Sequence, residues 1–300
     1  MRLSAIGIEV ADREFTGLSR LVLRAFGRMP SRVTDRLLFR DLRGATVMQK
    51  AMQRLLGGPR LVRIHFTTGP LAGYDFDCWT AERYFLLGAR YEAAVTDVLG
   101  EVVRPGDVVY DVGAHAGFSA LMFARLAAST GRVYAFEPSP LTFQRLRHNV
   151  ALNDARAVTL VNAGAWDSEG RLHLTEKSSW SRVIDDGATP DVPVSDIRLL
   201  RIDDFAYRDG QCPATLLKID IEGHAARCLA GAREMLRRAR PRVLLEIHDT
   251  AEERDCRAIL RDHGYELQAL GATARYPYHL MAGVSAPVLS LPAAATAGTP

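Results

Sequence analysis

The chain has little that would staple, anchor or export it. Its 300 residues include four cysteines, Cys78, Cys212, Cys228 and Cys256, all widely spaced. That spacing excludes a CxxC redox pair and a cysteine-based zinc cluster, and it fits free thiols in a reducing compartment. No apolar run reaches the ~18–20 residues that cross a bilayer. Glu9, Asp12, Arg13 and Glu14 interrupt any apolar core of a secretion signal. The expectation from these absences is a cytoplasmic protein. The chain is long enough to bury a sizeable core without covalent staples. At ~100–200 residues per domain, one large domain with an accessory segment is expected.

Acidic side chains are scarce at the start. Residues 1–60 hold eleven arginines and one lysine against five acids, an excess of seven, whereas the whole chain carries +3. The remainder is therefore net −4, which argues against a phosphate-rich partner. A basic amphipathic start can touch an anionic membrane or simply form a solvated helix face. Peripheral membrane contact and self-association both stay open.

Residues 15–57 read as two or three helices, with Leu18, Leu21, Val22 and Ala25 at helical spacing. Leu61–Phe66 and Tyr74–Trp79 read as a hairpin turned at Gly69-Pro70 and Gly73. Residues 81–102 look helical. Strands at 108–112, 132–137, 157–163, 216–221 and 243–247 then alternate with helices at 118–128, 140–153, 225–238 and 251–263. That alternation implies βαβ units and a mostly parallel sheet. Residues 265–270 and 279–284 supply a terminal pair of strands. The alternation lapses between Asp167 and Gln211, where Trp180 stands among serines as a lid or acceptor wall, or as core packing. The expected organisation is an accessory region over 1–80, the sheet domain over 81–286 and a disordered tail over 287–300.

The strongest motif is Asp111-Val112-Gly113-Ala114-His115-Ala116-Gly117, at the turn from the first strand of the alternation into its helix. Ligands of open α/β sheets bind at such carboxyl ends. A dinucleotide fingerprint needs glycine where His115 stands, and a P-loop needs a Gly-Lys-Ser/Thr that is missing. Asp111 suits a cationic ligand end, an ammonium or a sulfonium, or else it fixes the turn. Glu137-Pro138 closes the next strand, and a carboxylate there can accept from both hydroxyls of a ribose. A plain capping role for Asp111 and Glu137 is the structural alternative.

Four segments carry a family resemblance: Tyr110–Gly117, Phe136-Glu137-Pro138, Asn149-Val150-Ala151-Leu152-Asn153, and Leu217-Lys218-Ile219-Asp220-Ile221-Glu222-Gly223. With Arg83-Tyr84-Phe85 and Tyr91-Glu92 ahead of them, the chain from about 85 to 270 resembles the FkbM-type methyltransferases. The resemblance implies a Rossmann-like seven-stranded, mostly parallel sheet and S-adenosylmethionine as methyl donor. It places Gly113 and Gly117 near the methionine end, with His115 beside them, Glu137 and Pro138 at the ribose, and Asp167 at the adenine. The family usually has Asn at the place of His115, and often a second acid where Ala225 stands.

Methyl transfer to a hydroxyl needs a general base or a metal, because the hydroxyl is a poor nucleophile at neutral pH. Alternation puts Lys218, Asp220 and Glu222 on one side of their strand, and polar groups in a buried strand are costly unless paired. Asp220, Glu222 and His248 are the catalytic candidates, with His248 as general base. Asp220, Glu222, Glu246 and His248 would also be the ligands of a divalent cation, magnesium first. His173, His224 and His263 read as structural. The leading expectation is O-methylation of a sugar, polyketide, glycolipid or other small hydroxylated metabolite. A nucleic-acid methyltransferase and a non-catalytic cofactor-binding subunit are the alternatives, each less favoured by these residues.

Overall fold

Short runs of Val, Leu, Ile and aromatic residues dictate strands that bury both faces, and this chain has several. The computed structural model describes residues 1–11, 15, 17–28, 50, 54, 56, 58–91, 93–175, 182–183, 194–270 and 277–284. The backbone forms two compact units. One comprises Met1–Gly100 with His148–Ala155, the other Glu101–Arg147 with Arg156–Pro300. The sequence placed the boundary near residue 80. The expected helices between residues 29 and 49, Trp180 with its serines, and the tail from Pro287 lie outside the described residues.

The first unit contains β1 (Arg2–Leu3), β2 (Ile8–Val10), α1 (Gly17–Gly27), β3 (Leu61–Phe66), β4 (Asp75–Trp79), α2 (Arg83–Leu87) and most of α3 (Ala93–Val102). Its strands form an antiparallel sheet in the order β1-β2-β3-β4. The expected hairpin is β3 with β4, with Leu61 opposite Trp79 and His65 opposite Asp75. Period-2 alternation sets its face: Val62, Ile64, Phe66, Phe76 and Cys78 are all buried. The pair β1–β2 is an addition to the sequence reading; its strands are too short to show periodicity.

β4 ends the sheet, and two asparagines complete it. Asn149 Oδ1 accepts from Asp77 N at 2.8 Å and Asn149 Nδ2 donates to Asp77 O at 3.2 Å. Asn153 repeats this with Asp75, at 2.9 and 2.7 Å. Asn149 near the end of α5 and Asn153 just beyond it, four residues apart, thus serve Asp77 and Asp75, two residues apart on the strand. The match works because four helical residues rise ~6 Å and two strand residues ~6.6 Å. The amide side chain, with one donor face and one acceptor face, imitates a neighbouring strand.

The second unit runs β5 (Val108–Val112), α4 (Phe118–Leu126), β6 (Arg132–Phe136), α5 (Pro140–Leu152), β7 (Val158–Val161), β8 (Gly164–Ala165), β9 (Gly170–Thr175), β10 (Arg182–Val183) and β11 (Val194–Leu200). It continues through α6 (Ile202–Tyr207), β12 (Leu216–Ile219), α7 (Ala225–Ala230), α8 (Arg233–Arg238), β13 (Arg242–Ile247), α9 (Thr250–Asp262), β14 (Glu266–Leu270) and β15 (Tyr278–Gly283). The last turns of α5, from His148, are grouped with the first unit.

Seven strands form one sheet in the order β14-β15-β13-β12-β5-β6-β7. The five strands from β13 to β7 are parallel, and β15 pairs antiparallel with β13 and β14. This is the Rossmann-like, mostly parallel sheet that the resemblance implied. From β5 the chain proceeds outward through β6 and β7, then returns to β12 on the other side. The switch point, where such sheets hold ligands, therefore lies at the carboxyl ends of β5 and β12.

Tyr110, Tyr134, Phe136 and Phe205 form an aromatic cluster with centroids 5.1–5.6 Å apart. Tyr110, Tyr134 and Phe136 are buried, and full burial of such a ring contributes roughly 1.5–3 kcal/mol. At the opposite end of the sheet from the switch point, Asp107 accepts from Arg104 N, Thr215 Oγ1 and Arg242 Nη2, all at 2.7 Å. Those bonds tie the starts of β5, β12 and β13 together. Burial works to raise the Asp107 carboxyl, and these donors outweigh it and hold it below the ordinary value.

Within 167–211, expected as an insertion without alternation, the described residues form β9, β10 and β11, which join β8 just before them in a second sheet ordered β10-β9-β11-β8. β9 and β11 pair antiparallel from Gly170↔Leu199 to Thr175↔Val194. Their apolar residues Leu172, Leu174, Ile197 and Leu199 pack together with Trp166. The period-2 pattern was present in the sequence, but strongly polar flanks masked it. Among the described residues no helix is long and apolar enough to cross a membrane.

Candidate active site

β5 delivers its glycine loop at the switch point. Gly113 (φ +82°) follows the strand, and Gly117 (φ +100°) precedes α4. A Cβ on Gly113 would sit 1.9 Å from the Asp220 carbonyl oxygen. This glycine is therefore demanded by the end of β12, and not only by a ligand. His115, at φ +49°, occupies the left-handed region. Among residues with a side chain, Asn, Asp and His tolerate that region best. The exchange of the family's usual Asn for His thus keeps the backbone of the loop. Burial, then Arg145, hold the imidazole down at about 4, with Asp220 pulling the other way, so the ring is neutral at physiological pH.

Glu137 stands one residue beyond the end of β6, where the strand was expected to include it, and is buried with both oxygens aimed by backbone. Oε2 accepts from His115 N at 3.0 Å and Oε1 from Ser139 N at 2.9 Å. Asn162 Nδ2, which the sequence reading missed, donates to Glu137 O at 2.8 Å and Pro138 O at 3.2 Å. Glu137, Pro138 and the glycine loop are thus one hydrogen-bonded unit. A carboxylate has about four acceptor sites and suits two vicinal hydroxyls. The glycine loop brings no lysine or arginine for a phosphate. The chemistry of this donor set fits the nucleoside of S-adenosylmethionine.

The Asp111 side chain is fully buried. Asp111 Oδ2 accepts from Ser119 Oγ at 2.7 Å, and Oδ1 lies 3.2 Å from Lys218 Nζ. Lys218 also donates to Gly113 O at 3.1 Å and lies 3.4 Å from Asp220 Oδ2. One buried ammonium thus locks the ends of β5 and β12. The Asp167 carboxylate pairs with Arg227 Nη1 at 2.6 Å, which holds it below the ordinary value. Beside it the Trp166 and His224 rings meet at a tilt of 50°, with centroids 5.1 Å apart.

Asp220, Glu246 and His248 converge from β12 and β13, each offering a ligand atom within 4.8 Å of the others. His248 Nε2 lies 3.8 Å from Asp220 Oδ1. Burial works to raise the Asp220 carboxyl, but Lys218, then Glu246 and His248, outweigh it and keep the group ionised. Burial would lower His248, yet Glu252, Asp220 and Glu222 together raise it. His279, unremarked in the sequence, faces Glu246 at 4.0 Å, and burial pushes its ring down to about 4.

Glu222 corrects the strand alternation. β12 ends at Ile219. Glu222 then takes φ +46°, and its side chain is 54% exposed, with Oε2 3.9 Å from His248 Nε2. It stands at the rim and is outside the set that could hold a metal. Asp249 caps α9, accepting from Glu252 N at 2.8 Å. Glu252, which accepts from the His248 amide and lies beside its ring, was missed as well; its signal was the Asp249-Thr250-Ala251-Glu252 capping-box pattern.

The description "Methyltransferase FkbM domain" matches residues 111–267. The chain is 29% identical over 200 residues to 31-O-demethyl-FK506 methyltransferase FkbM of Streptomyces tacrolimicus, covering 57% of this chain and 76% of that one. It is 26% identical over 178 residues to hexuronic acid methyltransferase AglP of Haloferax volcanii, covering 58% and 69%. It is 25% identical over 185 residues to 2-O-methyltransferase NoeI of Sinorhizobium fredii, covering 53% and 72%. Among solved structures, methyltransferase FkbM from Methylobacillus flagellatus superposes with a TM-score of 0.45 at 19% identity, over 67% of this chain and 55% of that one.

Proposed function

The chain belongs to the FkbM methyltransferase family and is an S-adenosylmethionine-dependent methyltransferase; we propose that it methylates a hydroxyl of a sugar or similar small molecule, received by Asp220, Glu246 and His248. The observation that carries this reading is the convergence of those three side chains beside the glycine loop. The relatives named for hexuronic acid and 2-O-methylation support a sugar-like acceptor.

Bound S-adenosylmethionine supplies a methyl group already activated on a sulfonium centre. Glu137 and the backbone of the 113–117 loop would hold its nucleoside. Lys218 and Asp111 keep the loop and β12 in register. Asp220 and Glu246 accept hydrogen bonds from the acceptor's hydroxyls and orient it. His248 Nε2 takes the hydroxyl proton as the oxygen becomes nucleophilic, a contribution of ~10²–10⁴-fold. A magnesium ion on Asp220, Glu246 and His248 is the second reading, favoured by their mutual reach. Lys218, 3.4 Å from Asp220, already supplies the positive charge such an ion would bring.

The test is calorimetric titration with S-adenosylmethionine and S-adenosylhomocysteine, then a screen of hydroxylated acceptors with and without EDTA. Micromolar binding lost in Glu137→Ala, and turnover lost in His248→Gln with binding retained, is the expected result. A folded wild type that binds neither nucleoside sinks the reading. Turnover abolished by EDTA would favour the metal.

A further inference from the structure

Glu252 is a buried carboxylate that the mechanism above does not use. Its side chain is 1% exposed, on the first turn of α9. Oε2 accepts from His248 N at 2.8 Å and lies 3.3 Å from His248 Nδ1. Oε1 accepts from Ala225 N at 2.9 Å, where α7 begins after the Asp220–His224 turn. The Glu252 amide is itself fixed by Asp249 Oδ1. One carboxylate therefore joins the loop after β12 to the loop after β13.

Resting on the reading of His248 as proton acceptor, we infer that Glu252 is the positioning residue of this site: it holds Nδ1–H inward and presents an unprotonated Nε2 toward Asp220 and Glu222. An ionised carboxylate only accepts. Glu252 Oε2, 3.3 Å from Nδ1, is within hydrogen-bond reach, whereas Asp220 Oδ1 and Glu222 Oε2 stand 3.8 and 3.9 Å from Nε2, beyond it, so the neutral ring carries its proton on Nδ1 and Nε2 keeps its lone pair. The backbone bond to the same oxygen sets the 3.3 Å separation, since ring and amide belong to one residue. Without Glu252 the ring is free to adopt the Nε2–H tautomer, which cannot take a proton from a hydroxyl.

A glutamine cannot replace this carboxylate. Both oxygens receive backbone N–H groups, so either amide orientation sets an NH₂ against a donor. With NH₂ toward the ring, Nδ1 becomes the acceptor and the proton moves to Nε2.

The experiment is long-range ¹H–¹⁵N correlation on the full chain labelled at histidine, at alkaline pH, with His248→Gln identifying the resonance. The expected wild-type signature is the Nδ1–H tautomer, shifting toward Nε2–H in Glu252→Gln. A folding control is S-adenosylhomocysteine binding within a few fold of wild type. An Nε2–H tautomer in the wild type overturns the inference, and this holds even if Glu252→Gln fails to fold. An unchanged tautomer in a folded Glu252→Gln overturns it as well. Because no acceptor is needed, this result separates from the functional reading: the correct tautomer without turnover on any hydroxylated acceptor defeats that reading alone.

Discussion

Two polar clusters of this chain are built from similar side chains and put to opposite uses. In the first unit, Asn149 and Asn153 turn to the peptide groups of Asp75 and Asp77 and finish a sheet. In the second, Asp220, Glu246 and His248 turn to one another. Side chains whose partners are backbone amides and carbonyls do the work of a strand. Side chains whose partners are titratable groups keep charge and protons that a substrate can exchange. The identity of the partner, more than the polarity of the run, separates structural from chemical roles.

The sharpest break would come from Lys218, which belongs to both kinds. Lys218→Met strands the fully buried Asp111, and such uncompensated charges cost about 3–5 kcal/mol. Chemical denaturation should show that loss, and Asp111→Asn added to it should recover much of it. If Lys218→Met is neutral for stability, the lysine is not a lock.

Asp220→Asn should separate the clusters next. Turnover is expected to fall by about 10²–10⁴, with the melting temperature little changed. A variant that melts early yet still turns over would place Asp220 with the asparagines. Asp107→Asn should cost about 1–3 kcal/mol, because it weakens the partly buried pair with Arg242. The pH dependence has a definite sign. Asp107 is held below its ordinary value of about 3.9, so its stabilisation is present above that value. It is lost as pH falls through the lower folded value, and in Asp107→Asn the acid limb of the stability profile should flatten.

The smallest effect belongs to the asparagine pair. Asn149→Ala leaves the Asp77 amide and carbonyl without that partner, at about 1–3 kcal/mol. S-adenosylhomocysteine affinity should stay within a few fold. A large loss of affinity with unchanged stability would reverse the comparison.

The alternation from Val108 to His263 was legible because buried parallel strands are continuous apolar runs and their helices are long. Glu137 was legible because its position after a strand fixes its place at a carboxyl end. The second sheet was not, since β9 and β11 carry arginine, histidine and aspartate on their outer face. The ion-pair partners of Asp111 and Asp167 were not legible, because Lys218 and Arg227 come from a strand and a helix more than fifty residues away. Glu252 was missed because a capping box looks the same whether it caps a helix or holds a histidine.

Periodicity, strand ends and the glycine loop, all local, were decided by the sequence alone: the sheet, its switch point and the class of ligand it takes. Partner choice was decided by the tertiary structure. Which cation meets Asp111, which backbone Asn149 imitates and which nitrogen of His248 faces outward depend on distances between segments remote in the chain. Electrostatics and hydrogen bonds act over a few ångströms, and no spacing along a sequence specifies those.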